Sequence, residues 1–141
     1  MKHRIIKRID FCYGHRLLDY EGKCASLHGH NGLVEIELAA EKLDARGMVH
    51  DFSVVKRTVK DFVDNELDHR TLLRADDPLV LILQEAGERI FVMEGNPTAE
   101  NIAKLIFEFA QSRKLPVAAV RLWETRDSCA EYRDSLPDTF L

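Results

Sequence analysis

A regular alternation of apolar and polar side chains runs through residues 30–40. Val34 and Ile36 share one parity, and the glutamates beside them occupy the other. Because successive side chains of a β-strand point to opposite faces, this pattern predicts a strand with one buried face. Traced backwards, the apolar parity reaches His30 and then His28. The strand is therefore expected to carry two imidazoles on its buried face at one end.

Two amphipathic helices are predicted from apolar residues at helical spacing. Asp51 is placed to cap a helix from about Phe52 to Glu66. Asn96 and Pro97 have the residue types of an N-cap and a first helical position, so we expect a second helix to begin there. The stretch between the two helices contains only short elements, a helix near 79–83 and a strand near 89–93.

The order of the elements predicts the fold class. Further strands are expected over residues 3–15, 117–125 and 129–133. The resulting order, β-β-α-α-β-β, favours an α+β fold in which an antiparallel sheet carries two helices on one face. A chain of 141 residues has the length of one domain, so we expect residues 1–141 to form a single unit.

The composition excludes several classes of partner. The net charge of −4 provides no basic surface for nucleic acid. No apolar stretch approaches the roughly 18 residues of a membrane span, and the charged N-terminus is unlike a signal peptide. We therefore expect a cytoplasmic protein with no nucleic-acid or membrane partner. The three scattered cysteines do not indicate a disulfide framework.

Strand parity gathers more chemistry around the two histidines. His15 shares parity with Phe11 and Tyr13 in the first strand, and Glu124 shares parity with apolar neighbours in its own strand. Three imidazoles on buried faces with no metal would leave costly unsatisfied nitrogens. Three neutral imidazoles suit Zn²⁺ and leave one coordination position open.

Cys24 admits two interpretations. It lies four residues before His28, a spacing that allows the thiol to serve as a fourth ligand and to close a structural Cys-His₃ zinc site. Alternatively the thiol is a reactive group beside an open, catalytic metal. Cys12 and Cys129 are interpreted as small buried apolar residues.

Six motifs in order resemble the 6-pyruvoyltetrahydropterin synthase family, most closely its bacterial 6-carboxytetrahydropterin synthase branch. The resemblance covers nearly the whole chain. Its motifs are His15 within F-C-Y-G-H, the run C-A-S-L-H-G-H at 24–30, Asp51-Phe52, Leu67-Asp68-His69, the segment 96–101 and Glu124-Thr125.

The resemblance implies a fold and an activity. The fold is the tunnelling fold, assembled as a homohexamer of two trimers with active sites between subunits. The activity is a zinc-dependent lyase reaction that converts 7,8-dihydroneopterin triphosphate to 6-carboxy-5,6,7,8-tetrahydropterin, acetaldehyde and triphosphate, as in queuosine synthesis. A close rival is 6-pyruvoyltetrahydropterin synthesis at the same site. A rival of another class is a non-catalytic, zinc-stabilised binding or assembly module.

The resemblance also implies residue roles. The zinc ligands are His15, His28 and His30; the proton-abstracting base is Cys24; the proton relay is Asp68 with His69, from a neighbouring subunit; the pterin anchor is Glu124, sometimes counted in the relay; and the pocket is lined by Thr98 and Glu100. Structural alternatives remain for several of these. Asp68 and His69 are also suited to ending a helix, Thr98 and Glu100 to starting one, and Glu124 to a surface position.

Some positions depart from the family pattern. Tyr13 stands where small residues are usual before the first histidine, and Gly32 stands where an aromatic residue is common. The segment 72–95 is longer than in compact members. The cations proposed for the triphosphate are Arg16, Lys23 and Arg126. These departures affect the expected substrate and product rather than the expected zinc site.

Overall fold

The computed structural model describes residues 1–135, which form a six-stranded sheet with helices packed on one face. The strands are β1 (His3–His15), β2 (His28–Ala40), β3 (Arg70–Arg74), β4 (Ile90–Met93), β5 (Val117–Thr125) and β6 (Ser128–Arg133). Their order across the sheet is β4-β3-β1-β2-β5-β6. The α+β class is confirmed.

The sheet is mixed rather than wholly antiparallel. The pairs β1–β2, β2–β5 and β5–β6 are antiparallel, as the element order predicted. Beyond β1, however, β3 and β4 join in parallel. A strand was predicted at β4 but none at β3. The two apolar residues of β3, Leu72 and Leu73, are adjacent, so the strand shows no clear alternation.

The first long helix begins where it was predicted. Asp51 caps it, because its carboxylate accepts from the Ser53 N–H at 2.8 Å. The helix α1 (Phe52–Val55) continues without a break through wide π-helical turns at Lys56–Lys60 and Val63–Leu67. A further short helix, α2, spans Leu79–Glu85.

The helix α3 (Ala99–Ser112) begins two residues later than predicted. Its N-cap is Thr98, whose hydroxyl accepts from the Asn101 N–H at 3.1 Å, so the prediction of Asn96 as the cap is wrong. The Asn96 side chain instead binds the backbone of Leu18. Its Oδ1 accepts from the Leu18 N–H at 2.9 Å, and its Nδ2 donates to the Leu18 carbonyl at 2.8 Å. These bonds fasten the start of α3 to the chain that leaves β1.

The two faces of the sheet have different chemistry. The face under the helices is apolar, and its core includes Ile9, Phe11, Val34, Ile36, Leu38, Val120 and Leu122 against Val59, Ile102 and Ile106. The opposite face buries two carboxylates, Glu35 and Glu37, beneath the arginines Arg4, Arg8, Arg121 and Arg133. Long arginine stems cover the carboxylates while their head groups bind them, which compensates for burying charge.

Within residues 1–135, no helix combines the length and apolar character needed to cross a bilayer.

Candidate active site

Three histidines converge at one end of the sheet. The last residue of β1, His15, pairs in register with the first residue of β2, His28, and His30 follows two residues later on the same face. The ring centroid of His15 is 4.5 Å from that of His28, and His30 is 5.0 Å from each. Their ligand atoms all lie within 4.8 Å of one another, so the structure brings together the three residues that strand parity selected.

Backbone carbonyls determine which ring nitrogens are free. The Nδ1 atom of His15 donates to the carbonyl of Pro97 at 2.7 Å, and that of His28 donates to the carbonyl of Ser26 at 2.6 Å. Each Nε2 atom therefore carries a lone pair, and the two Nε2 atoms lie 3.0 Å apart. Two lone pairs at this distance repel unless a proton or a cation lies between them.

The third imidazole is also without a partner. The Nε2 atom of His30 is buried and forms no hydrogen bond, although Glu124 Oε2 lies 3.3 Å away outside hydrogen-bonding geometry. Burial lowers the pKa of His15 and the neighbouring His28 adds to this, against the opposing effect of the Pro97 carbonyl. The cluster thus presents three imidazole rings with closely spaced nitrogen atoms, a set that fits a divalent transition metal such as Zn²⁺.

The Cys24 thiol is not part of this cluster. The residue sits in a 3-10 turn, Lys23–Ala25, directly before β2, and its carbonyl accepts from the Leu17 N–H at 2.9 Å. Among the described residues, the group of ligand atoms within 4.8 Å of one another contains the three histidines and not this thiol. The geometry therefore favours an open metal position over a closed Cys-His₃ site.

Asp68 and His69 form a hydrogen-bonded pair that also contacts β1. The Asp68 carboxylate accepts from His69 Nδ1 at 2.8 Å and from the Cys12 N–H at 3.0 Å. Hydrogen bonds from Cys12 and His69 lower the pKa of Asp68 and outweigh the opposing effect of burial. Adjacent side chains of a regular helix or strand do not face each other, but here Asp68 is extended and His69 is left-handed, with φ 57°. This backbone turn makes the contact possible.

Sequence reasoning missed Cys12. Its thiol, the Asp68 carboxylate and a His69 ring nitrogen all lie within 4.8 Å of one another. Cys12 has the opposite parity on β1 to Tyr13 and His15, so its side chain leaves the strand on the other face. The group borders a cavity of about 520 Å³ that His28, His30, Asn31 and Thr71 also line. The parity of β1 alone predicts that Cys12 points to the opposite face from the histidines. It does not predict that His69 lies near Cys12, because that contact depends on β3, a strand that was not predicted.

Glu124 links the histidine cluster to a second cavity. It lies where the β5–β6 register shifts, between Trp123 and Thr125, so the irregularity redirects its side chain from the ladder. Beyond its contact with His30 it lines a cavity of about 330 Å³ together with Glu100 and Cys129. Thr98 precedes that cavity and uses its hydroxyl as a helix cap. The structure therefore brings Glu100 and Glu124 together.

The cations proposed for a triphosphate have other positions. Arg16 is bound by the fully buried carboxylate of Asp77, with Nε at 2.8 Å from Oδ2. Arg126 is 93% exposed, and its Nε atom lies 3.7 Å from Asp127 Oδ1. Lys23 is on the 3-10 turn that carries Cys24. Arg16 is therefore engaged in the fold rather than free for an anion.

Comparisons with known proteins identify the family of this chain. The family model for 6-pyruvoyl tetrahydropterin synthase matches residues 4–135. The chain is 37% identical over 132 residues to the 6-carboxy-5,6,7,8-tetrahydropterin synthase of Rickettsia typhi, with 89% of this chain and 96% of that protein covered. A crystal structure of an uncharacterized protein from Wolinella succinogenes matches at 30% identity with a TM-score of 0.82, covering 94% of this chain and 98% of that one.

The fold is the tunnelling fold. The 6-pyruvoyl tetrahydropterin synthase of Caenorhabditis elegans superimposes with a TM-score of 0.71 at 24% identity, over 94% of this chain and 96% of that one, which is a likeness of fold alone. With the family model spanning nearly all of the described residues, the chain belongs to the 6-pyruvoyl tetrahydropterin synthase family.

Proposed function

We propose that this protein is a zinc-dependent lyase acting on 7,8-dihydroneopterin triphosphate. With one water consumed, the products are 6-carboxy-5,6,7,8-tetrahydropterin, acetaldehyde and triphosphate, and the reaction serves queuosine-type synthesis in the cytoplasm. The observation that carries the proposal is the convergence of ring nitrogens from three histidines beside the Glu124 carboxylate. That arrangement combines a metal-binding position with an anchor for a polar ring.

His15, His28 and His30 are the residues proposed to hold the ion. Two of them are oriented by carbonyl acceptors at Nδ1, the kind of outer contact that fixes the tautomer of metal-bound histidines. Neutral ligands leave the full charge on the ion, so bound Zn²⁺ supplies Lewis acidity toward the hydroxyl-bearing substrate side chain. The separation of Cys24 from the ligand group supports a position left open for substrate.

Proton transfer is assigned to Cys24 and to the pair Asp68–His69. A thiolate is a useful base near neutral pH, because the ordinary thiol pKa of about 8.5 is lowered beside a cation. Asp68 fixes the orientation of the His69 ring through Nδ1, which leaves Nε2 free to exchange a proton. Cys12, which contacts the pair, has the opposite parity on β1 to His15. This supports a homo-oligomer, in the family's form two stacked trimers, in which each pair serves a neighbouring subunit.

The pterin ring is assigned to the cavity that Glu100 and Glu124 line. An aminopyrimidinone edge carries adjacent N–H donors, and a carboxylate accepts two such donors at once. Thr98 is proposed to border this site because it lies at the start of α3, the helix that also carries Glu100. Glu124 approaches His30, so the proposed ring site lies next to the proposed metal position. A substrate that has a ring and a reacting side chain requires two such neighbouring sites.

Two other functions remain as alternatives. The 6-pyruvoyl product needs the same residues and differs only in which bond breaks, and the names of the relatives with 30–37% identity favour the carboxy product. A non-catalytic zinc module needs no open metal position and no reactive thiol. The separation of Cys24 from the ligand group disfavours that module.

The test is product identification. Zinc-loaded protein is incubated with 7,8-dihydroneopterin triphosphate, and the products are identified by mass. We expect 6-carboxytetrahydropterin with acetaldehyde. Detection of 6-pyruvoyltetrahydropterin without acetaldehyde would support the first alternative, and no turnover by the zinc-loaded protein would support the second.

A further inference from the structure

Tyr13 contains a buried hydroxyl that has no partner. The residue is 3% exposed, and its hydroxyl oxygen is inaccessible to solvent and forms no hydrogen bond among the described residues. Buried polar atoms are nearly always satisfied, because an unsatisfied one loses its bonds to water without replacement. An orphaned hydroxyl next to a functional site therefore points to a partner that arrives with a ligand.

The phenol ring is held in place on several sides. It stacks on Phe11 with centroids 5.0 Å apart and meets the His15 ring edge-on at 5.2 Å. On the neighbouring strand, a Cβ added at Gly32 would lie 3.1 Å from Tyr13 Cε1, so the ring occupies the space that a side chain there would need. The hydroxyl consequently cannot turn away to find another partner without disturbing this packing.

The surroundings of Tyr13 identify where the missing acceptor lies. The ring is 5.7 Å from the ring of His30, whose Nε2 atom is likewise buried and forms no hydrogen bond within residues 1–135. Tyr13 also lines the cavity of about 520 Å³ that His28 and His30 border. Tyr13 therefore lies beside the histidine cluster and next to His30, the imidazole that approaches Glu124, the residue proposed to anchor the pterin ring.

We propose that Tyr13 is a substrate-positioning residue whose hydroxyl donates a hydrogen bond to an oxygen on the pterin side chain, close to where that side chain joins the ring. This proposal rests on the proposed function, since that function places the ring at Glu124 and the side chain at the histidines. A phenol is a neutral donor at physiological pH, and it is suited to an alcohol or carbonyl oxygen. The bond would fix the side chain beside the metal position, which is where the choice of bond to break is made.

The experiment compares Tyr13→Phe with wild type and with Tyr20→Phe. The control makes the same chemical change at a tyrosine that is 50% exposed. Three properties are measured: zinc content, the midpoint of thermal unfolding without ligand, and the affinity for 7,8-dihydroneopterin, which lacks the triphosphate leaving group. Turnover of the triphosphate is measured in parallel.

For Tyr13→Phe we expect unchanged zinc content and a raised unfolding midpoint, because the variant no longer buries an unsatisfied hydroxyl. We also expect affinity for dihydroneopterin to fall roughly 3- to 10-fold, the range of one neutral hydrogen bond. A stabilised protein that binds its ligand less tightly is the pattern of a residue kept for function. Tyr20→Phe should match wild type in every measurement.

Two results would overturn the proposal. Unchanged affinity in Tyr13→Phe, with wild type binding normally, shows that the hydroxyl does not contact the ligand. A lowered unfolding midpoint shows that the hydroxyl already has a partner within the protein. If wild type neither binds dihydroneopterin nor turns over the triphosphate, the proposed function fails, and this proposal fails with it.

Discussion

The Nε2 atoms of His15 and His28 lie 3.0 Å apart, and each ring donates its Nδ1 proton to a backbone carbonyl. The carbonyls of Pro97 and Ser26 thus select the tautomer of each ring in which the Nε2 atom carries a lone pair, and these two lone pairs lie next to each other. Nitrogen donors on a tetrahedral ion with bonds of 2.0–2.1 Å are about 3.3 Å apart, so a small separation of the rings accommodates zinc. The two nitrogens repel each other in this arrangement of the rings, and a cation between them removes the repulsion.

The first prediction concerns metal binding. Wild type should bind one zinc per chain, and His15→Gln should lose it, while His3→Gln at the exposed start of β1 keeps it. Zinc at 100 times its dissociation constant should stabilise wild type by about 2.7 kcal/mol, and a chelator should reverse the gain. Metal analysis and thermal unfolding measure both. Equal zinc content in His15→Gln and wild type would show that the metal lies elsewhere.

The second prediction separates the two half-buried thiols. Cys24→Ala should keep its zinc and lose turnover by about 10²- to 10⁴-fold, the usual range for a general base. Cys12→Ala should keep zinc and lose much less, because Cys12 binds Asp68 through its backbone N–H, which alanine retains. Steady-state kinetics with metal analysis distinguishes them. Loss of zinc from Cys24→Ala would instead identify the thiol as a ligand.

The third prediction tests whether active sites are shared between chains. Asparagine tolerates the left-handed conformation of His69, so His69→Asn should remove the imidazole without straining the backbone. Both His69→Asn and Cys24→Ala are expected to be nearly inactive alone. When the two variants are unfolded together and refolded as a 1:1 mixture, random assembly should restore about a quarter of the wild-type rate.

That recovery requires Cys24 and His69 of one site to come from different chains. If both came from the same chain, every chain in the mixture would still contain one defective residue, and the rate would stay at the level of the single variants. Each variant refolded alone is the control for damage during refolding.

The fourth prediction concerns the ion pair that fastens the end of β1. The Arg16 guanidinium lowers the pKa of the fully buried Asp77 carboxyl. Asp77→Asn should lower the free energy of unfolding at pH 7 by about 2–4 kcal/mol, as expected when one partner of a buried pair is removed. Asp76→Asn, at an exposed neighbour that pairs with Arg74, should change it much less.

The pH dependence of that difference follows from the lowered pKa. A carboxyl with a depressed folded-state pKa stabilises the protein fully above its ordinary value of 3.8 and loses this contribution as the pH falls through the folded-state value. The difference between wild type and Asp77→Asn should therefore be constant from pH 5 to 8 and shrink below about pH 4. Urea unfolding at pH 7 and pH 3.5 measures it. A difference that grew on acidification would contradict the ion-pair explanation.

Local patterns were sufficient to predict the strands that carry the histidines. The alternation in β1 and β2 predicted both strands and the shared face of His15, His28 and His30, because side-chain direction in a strand depends only on parity. The helix start at Asp51 was predicted for a similar reason, since capping is a local interaction.

Features that depend on distant contacts were not predicted. Asn96 has the right residue type for a cap, but its bonds to Leu18 come from a different part of the chain. The parallel addition of β3 places His69 beside Cys12, and no pattern within residues 70–74 indicates that pairing. The site residues thus followed from parity and resemblance, whereas the partners of each residue required the fold.

The most direct test is a zinc titration of metal-free wild type with 7,8-dihydroneopterin triphosphate present in excess. Acetaldehyde and triphosphate are measured at each point. Both products should form at equal rates that rise linearly to one zinc per chain and are absent without metal. Product formation at the full rate without zinc, or none at one zinc per chain, would contradict the proposal that the three histidines hold a catalytic metal.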